Sequence, residues 1–399
     1  MKYTISMARF LLLTHIYPPA VDGGSKLIAK IGNYLERQGH EILVVTSNCT
    51  SSDDFSRLKH STIKHSSKII SLPVITFLHR PFKLLSKLLP NFKIFSKGPI
   101  FSYFPIKKII NFKPDFIIAG PLPTTIILYA RLINYLSNHL FHHSTKLLFV
   151  PCFHPLDPDF QKQLLISTLN QAQYLWCLTN FEKKYLQKKL NIKSPKYIVS
   201  GLGVDSDFII DKKDIKYPKH PNIVFVANFS AHKRTELLIQ AFEIILKKYP
   251  KATLTLLGQK TLYFPQITTF LNTIPLKTLR KIKFIFNPSI NQIKKAINQS
   301  SCLVLPSIHE SFGLVFVESL ARGKAIIGAD TPQGLEVIKN LKGGLNFKSD
   351  NLNSLSQNII KLISSPKLSQ KYALNGYQRV KDFYTWDRIG ENLCKKLSL

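Results

Sequence analysis

The sequence predicts an α/β protein made of two doubly wound domains in tandem. Three observations carry this. The chain has 399 residues, long for a single core. Short runs rich in β-branched and apolar residues alternate with stretches of helical periodicity along most of its length. One polar, basic stretch, 212–221, with prolines at 218 and 221, interrupts that alternation and reads as an interdomain linker. The expected division is an N-terminal domain over 1–211, the linker over 212–221, a C-terminal domain over 222–383, and a last helix over 384–399 that packs back on the N-terminal domain.

Taken in order, 9–15 is a short apolar strand that runs into Pro18-Pro19 and Gly23-Gly24-Ser25. Leu27, Ile28, Ile31, Tyr34 and Leu35 then recur on one helical face until Gly39, and 41–46 is a second strand. The glycine pair opens a helix but is not the Gly-x-Gly-x-x-Gly fingerprint, which removes support from a nicotinamide cofactor. Gly23-Gly24 equally suits a plain turn. A basic stretch follows over 47–114. Then come a strand at 115–119, a helical run from Pro123 to about Leu140, and a buried strand at 146–150 that stops at Pro151. Cys152-Phe153-His154-Pro155 lies just past that strand, where loops of an open parallel sheet carry chemistry. The alternation continues through 161–173, 175–179, 181–190 and 198–200 to a turn at 201–205.

After the linker the pattern restarts with a strand at 223–227, a helix at 235–248, a strand at 253–257 closed by Gly258, a strand at 283–286 and a helix at 290–298. The stretch from Val304 to Glu318 organises the second half. A β-rich run, 302–305, stops at Pro306. The polar turn 307–311 leads through Phe312-Gly313 into an apolar helix, 314–320, which Gly323 ends. N–H groups at a helix start have no internal acceptors and the dipole there favours an anion, so this loop suits a phosphate or diphosphate. Glu310 and Glu318 bracket it. Carboxylates repel phosphate, so their expected partners are hydroxyls of a ribose or a sugar. A buried strand-helix unit with solvated glutamates would show the same pattern. A strand at 325–328, helices at 352–363 and 368–383, and a final helical segment at 386–397 complete the chain.

Composition narrows the class. The apolar fraction of 45% is ordinary for a globular protein. No apolar run approaches the roughly 18 residues of a membrane helix, and the run 10–13 is too short for a signal peptide. Five scattered cysteines without a Cys-x-x-Cys pair argue against a zinc cage or a disulfide framework and for a reducing compartment. The charge is unusual: 55 basic against 23 acidic side chains, a net +32. It is not spread evenly. From Phe55 to Pro114 there is no Asp or Glu, while Arg57, Lys83, Lys87, Lys93 and Lys97 are among the basic residues. Over 82–95 lysines alternate with Leu84, Leu85, Leu88 and Leu89, a segment suited to an anionic membrane interface. Nucleic acid is disfavoured by the scarcity of Arg and the lack of a recognition motif.

These residues resemble the GT-B glycosyltransferases of family 4. The most specific part is Pro306-Ser307-x-x-Glu310-Ser-Phe-Gly313-Leu-x-x-x-Glu318, followed by Ser319-Leu-Ala-x-Gly323-Lys-x-Ile-Ile. Gly23-Gly24, Gly39-His40-Glu41, Lys113-Pro114-Asp115, Gly203-Val204-Asp205, Lys233 before a Leu-Ile-x-Ala-Phe helix, Gly343-Gly344-Leu345 and Tyr384-Thr385-Trp386 add to it. The resemblance implies two Rossmann-like domains facing across a cleft. It implies transfer of a sugar from a UDP- or GDP-sugar with retention of configuration, without metal or other cofactor. The N-terminal domain would bind the acceptor, the C-terminal domain the donor. Glu310, Lys233 and His154 would serve catalysis: Glu310 facing the donor sugar's hydroxyls, Lys233 neutralising the departing diphosphate, His154 near the sugar. Gly24, Arg234, Ser311, Phe312, Gly313, Leu314, Val315 and Glu318 would hold the donor, with Glu318 on the ribose. In one place the chain departs from the family: Asn228 stands where Arg is usual, and Arg234, where Gly is usual, is the candidate substitute.

The expected acceptor is a lipid-linked or cell-envelope saccharide, and the expected location is cytoplasmic, peripheral on the inner face of the membrane. Two other readings stay open. One is a metal-dependent transferase using Asp157-Pro-Asp159 or Asp205-Ser-Asp207. The other is a non-catalytic, basic, membrane-associated protein that binds sugar nucleotides.

Overall fold

The computed structural model describes residues 7–19, 23–51, 54–55, 68–154 and 158–399. The chain forms two compact units, Met1–Gly201 with Ile389–Leu399, and Leu202–Arg388. In the first, strands β1 (Arg9–Thr14), β2 (Glu41–Ser47), β3 (Ile69–Leu72), β4 (Phe116–Gly120), β5 (Lys146–Phe149), β6 (Tyr174–Cys177) and β7 (Lys196–Val199) form one sheet in the order β3-β2-β1-β4-β5-β6-β7. Every pairing is parallel. Parallel strands need crossovers, and crossover helices cover both faces, so the central strands are apolar on both sides. Every residue of β4 is buried accordingly.

The second unit repeats the plan. Strands β8 (Asn222–Val226), β9 (Thr253–Gly258), β10 (Ile282–Phe286), β11 (Cys302–Leu305), β12 (Ala325–Ala329) and β13 (Gly344–Phe347) lie in the order β10-β9-β8-β11-β12-β13, again all parallel. Both sheets thus reverse direction of growth once, between β1 and β4 and between β8 and β11. At such a switch point, neighbouring connections leave in opposite directions and open a crevice at the carboxyl ends of the strands. The register shows the parting in the second unit. β8 and β11 pair only at Ile223–Cys302 and Val224–Leu303, while β8 stays paired with β9 out to Val226 and β11 with β12 out to Leu305.

Several elements escape the periodicity reading. Strand β3 lies within the basic stretch, four residues at a sheet edge with a neighbour on one side only. The helix Pro332–Leu341 and strand β13 fill 332–347, where no element is expected. The amphipathic segment 82–95 is two short helices, His79–Leu85 and a tighter turn Pro90–Ser96, with Pro90 at the start of the second because it lacks the N–H to continue the first.

The passage between units falls at Gly201–Leu202. The proline-bearing stretch 212–221 is tied to the second unit. The Tyr217 hydroxyl donates to the Gly323 carbonyl at 3.2 Å, the Lys324 ammonium donates to the Lys216 carbonyl, and a side chain at Gly323 would come within 2.4 Å of Ile215. Arg322 Nη1 donates to the Phe208 carbonyl at 3.1 Å, anchoring the preceding turn to the same unit. The last helix, Trp386–Leu397, returns from Ile389 onward to the first unit, where Gly390 meets the ring of Tyr34 so closely that a Cβ would lie 2.2 Å from it.

Candidate functional site

The loops that leave β8 and β11 flank the switch point of the second sheet, and they carry most of the residues singled out from sequence. After β11, the loop descends through buried Ser307 to Gly313, whose φ of +83° only glycine adopts without strain. Gly313 is the N-cap of the helix Leu314–Ala321, and it has no side chain to cap with; nor does any Asp or Glu lie in the first turn. The N-cap that ordinarily satisfies first-turn donors is therefore absent. Among the described residues, no protein acceptor takes the N–H groups of Gly313, Leu314 or Val315, whereas that of Phe316 already donates to the Gly313 carbonyl at 2.9 Å. Three amides without a protein acceptor among the described residues thus sit at the positive end of one helix dipole.

The helix itself is buried on nearly all sides, which explains its apolar sequence. Glu318 breaks that composition. It is only 8% exposed, and a carboxylate in such a place is retained for what it binds or holds. Phe312 is buried against Tyr384, ring centroids 5.9 Å apart, so its part is to seat the loop; Ser311 is half-buried beside it.

The two loops are stitched across the crevice. Ile308 N–H donates to the His232 carbonyl at 2.9 Å, and Ser307 Oγ lies 3.2 Å from the same oxygen and 2.9 Å from the His309 carbonyl. Next to these bonds, the Lys233 ammonium pairs with Glu310 Oε1, the two side chains being 16% and 15% exposed. Burial pushes the Glu310 carboxyl up, but the charge and hydrogen bond of Lys233, with help from Ser307 and His232, outweigh it and hold the group below its usual range. Glu310 is therefore an anion at neutral pH. Burial lowers the basicity of His309, and the positive charges of Arg234 and Lys233 lower it further, so this imidazole is neutral.

Arg234 has a carboxylate partner of its own. It sits in left-handed backbone at the start of the helix Thr235–Lys248, and its guanidinium grips Asp350, with Nη2 3.0 Å from Oδ2 and Nε 2.8 Å from Oδ1. The cation expected to substitute at Asn228 is thus engaged with a carboxylate of the loop after β13. Asn228 is exposed, and its Oδ1 accepts from the Gln259 N–H at 3.4 Å.

Gly24 and His154 belong to the first unit. Gly24 is the second residue of the helix Gly23–Arg37, and an added Cβ would stand 2.7 Å from the ring of Pro121, in the loop after β4. Close packing of helix start on loop accounts for this glycine without a ligand. His154 is half-buried in the loop after β5, at the carboxyl edge of its sheet. Its loop is anchored by a residue not singled out from sequence. Glu182, 1% exposed, accepts from the Phe153 N–H at 3.0 Å and from the Leu178 N–H at 2.6 Å. One carboxylate thereby joins the loops after β5 and β6. A signal existed: Thr179-x-x-Glu182 is the spacing of a capping box, and Thr179 does accept from the Glu182 N–H. Replacing Glu182 by Ala strands two buried donors. It is expected to cost about 2–4 kcal/mol, from two charge-assisted bonds of roughly 1.5–3 kcal/mol each less partial relaxation, read as a lower urea midpoint at unchanged slope.

The Asp-x-Asp reading finds its carboxylates occupied. Asp159, 4% exposed at its side chain, takes Lys93 at 3.1 Å and also Lys97, and Asp207 takes Lys294. Asp157 lies outside the described residues. Among those that are described, no three His, Cys, Asp or Glu side chains converge as a metal site requires.

Comparison with known proteins gives the family and the fold. The family description "Glycosyltransferase Family 4" matches residues 21–208, and "Glycosyl transferases group 1" matches residues 206–379. The chain belongs to the group 1 glycosyltransferases of family 4. Among curated relatives it is 26% identical to an uncharacterized glycosyltransferase of Methanocaldococcus jannaschii, over 56% of this chain and 58% of that one. It is 24% identical to the O-antigen chain mannosyltransferase RfbU of Salmonella typhimurium, over 55% and 59%. The chain thus spans rather more than half the length of these relatives. The α-1,3/1,6-mannosyltransferase ALG2 of Saccharomyces cerevisiae matches at 22% over 84% of this chain and 73% of its own. Of solved structures, the sucrose-phosphate synthase of Thermosynechococcus elongatus superposes with a TM-score of 0.71 at 17% identity, covering 98% of both chains. Anabaena HepE in complex with UDP and glucose does so with a TM-score of 0.71 at 15% identity, covering 98% and 99%. The fold of this family member is GT-B.

Proposed function

We propose that this family member transfers a sugar from a nucleoside-diphosphate donor to a saccharide acceptor with retention of configuration, a hexosyltransfer of class EC 2.4. The observation that carries this reading is the set of open amides at 313–315 beside the buried Lys233–Glu310 pair, at the switch point of the second sheet. The amides take the diphosphate. Lys233 leaves Glu310 for the diphosphate, and the freed carboxylate accepts hydrogen bonds from the sugar's hydroxyls. Glu318 takes the ribose. Relatives agree with such a donor: the Anabaena protein was solved with UDP and with UDP-glucose, and the Salmonella protein is named a mannosyltransferase.

In the step itself, the bond between the anomeric carbon and the β-phosphate oxygen breaks as a bond to the acceptor oxygen forms on the same face. The acceptor's proton passes to the departing diphosphate oxygen. Negative charge grows on that oxygen, and Lys233, once released from Glu310, and the helix amides stabilise it more in the transition state than in the ground state. No metal takes part, and the rate in EDTA equals the rate without it. The test is a panel of UDP- and GDP-sugars, scored for nucleotide release, with the anomeric configuration of the product read by NMR. Absence of transfer from every donor, with the nucleotides still bound, favours the non-catalytic reading.

The basic segment favours a membrane-linked acceptor on the inner face of the cell membrane. Phe77, Leu84, Leu88 and Leu89 are 64%, 67%, 81% and 50% exposed, and Arg80, Lys83 and Lys87 stand exposed among them. Phe82 turns inward instead, onto Phe92 and Phe95. No helix among the described residues is long and apolar enough to cross a membrane. This face lies on a surface rather than through it, each lysine near anionic lipid contributing about 1 kcal/mol. Lys93 and Lys97 hold Asp159 and so belong to the fold. Reversing only Lys83 and Lys87 to Glu is therefore expected to weaken flotation with phosphatidylglycerol vesicles at least tenfold, leaving transfer to a soluble acceptor unchanged. Equal flotation of both proteins removes the membrane from the reading.

A further inference from the structure

A second feature of the C-terminal unit lies at the opposite edge of its sheet from the donor loops. Arg322 and Lys324 occupy the turn that leads into β12. Asn298 ends the helix before β11, and Lys216 and Tyr217 precede β8. In a parallel sheet all three sets therefore meet at the amino-terminal edge. They line one cavity of about 520 Å³, whose only acidic lining residue is the exposed Asp214.

Two of these walls are buried cations. Arg322 is 6% exposed and Lys324 1% exposed. Among the described residues neither makes an ion pair. Arg322 spends Nε on Asn298 Oδ1 at 2.5 Å and Nη1 on the Phe208 carbonyl at 3.1 Å, which leaves Nη2 with no acceptor among the described residues. The Lys324 ammonium has the Lys216 carbonyl and the face of Tyr217, 4.8 Å from the ring centroid. Burial of two like charges side by side is costly; the charge of Asp207 acts on Arg322 but burial outweighs it, and a fold that keeps both cations gains from an anion set against them. Burial, with the Arg322 charge adding to it and Cys302 opposing, lowers Lys324 to about 8. The neighbouring donors are fixed by the protein's own carbonyls and so are pre-organised.

We propose that this cavity binds a phosphate monoester, its phosphoryl group held between Arg322, Lys324 and Lys216 and its polar body against Tyr217 and the Asn298 amide. The cavity is far larger than a bare phosphate needs and falls in the range of small-ligand sites. A ring face and an amide beside a cationic end suit a sugar phosphate. Because the site joins the turns before β8, β11 and β12, its ligand bears on the strands whose far ends carry the donor loops. The site does not depend on the donor assignment.

The probe is glucose 6-phosphate, titrated into the full chain at low salt and followed by thermal shift and calorimetry. Inorganic phosphate, free glucose and sodium chloride at matched ionic strength run in parallel. The titration is made on the wild type and on Lys233→Ala, which disables the donor side. Expected is a saturable rise in Tm with glucose 6-phosphate in both proteins, absent with glucose and with chloride. Lys216 is exposed, so Lys216→Glu keeps the fold, and it should weaken binding at least fivefold. Lys324 loses its proton above pH 8, so binding at pH 9 should be at least fivefold weaker than at pH 7. A response to inorganic phosphate equal to that of the ester assigns the cavity to the phosphoryl group alone and overturns the monoester. A response absent beyond that of chloride, unchanged in Lys216→Glu, or lost in Lys233→Ala overturns the site.

Discussion

Lys233→Ala is expected to lower kcat by about 10²- to 10³-fold, the usual consequence of deleting one preorganised charge from the developing oxyanion. The same substitution has a structural effect that must be separated from the chemical one. Lys233 is what keeps Glu310 ionised in a site where both side chains are only about 15% exposed. Without it, burial prevails and the Glu310 carboxyl rises. Breaking a buried pair from one side costs about 3–5 kcal/mol, part of which protonation returns. The linkage has a definite sign. In the wild type Glu310 is held below its ordinary 4.5, so its contribution to stability is present above that pH and is lost as the pH falls through the lowered value. In Lys233→Ala the sign reverses: with the carboxyl raised above its ordinary value, ionised Glu310 destabilises the fold at neutral pH, and that penalty should be relieved as the pH falls through the raised value. The double variant Lys233→Met with Glu310→Gln has no buried charge to strand, and it should recover the urea midpoint while transfer stays as low as in the single variant. Recovery of both together would make Lys233 a structural residue only.

Gly313→Ala carries the second large effect. At a φ of +83° an alanine is disfavoured by about 1–2 kcal/mol, and its Cβ would stand 2.7 Å from the ring of Phe316. That ring is 2% exposed and has no room to swing, so the backbone must move. The amides of Leu314 and Val315 move with it. A displacement near 1 Å at a positioning group costs about 10²-fold, and kcat/KM should fall by that order, with donor affinity falling too. Stability should drop by about 1–3 kcal/mol. Nucleotide-sugar affinity measured by calorimetry decides the point. If it is unchanged while stability falls, the amides at 313–315 are not the anion site.

Much of the candidate site was legible because its parts are local. Pro306 to Glu318 contains a strand end, a glycine that only a left-handed turn requires, and an apolar helix without a cap. Each follows from a few adjacent residues. What was not legible depends on residues far apart in the chain. Nothing in the composition of 228–234 says that Arg234 will turn to Asp350, because that pair spans 116 positions and closes only when the loops after β8 and β13 are brought to one edge. Gly24 shows the converse. Its motif points to a ligand, and only the fold adds that the ring of Pro121 occupies the space a side chain there would need. Lys93 read as a membrane lysine until folding placed buried Asp159 beside it.

By itself the sequence determined the α/β class, the doubling of the unit and the uncapped glycine loop ahead of an apolar helix, since periodicity, glycine stereochemistry and helix-end polarity act within one turn or strand. The tertiary structure alone decided which charges are joined. It set Lys233 on Glu310 and brought Arg322 and Lys324 together on one cavity. The reason is physical: an ion pair's strength depends on distance and on exclusion of water, and the folded chain creates both only where two remote segments meet.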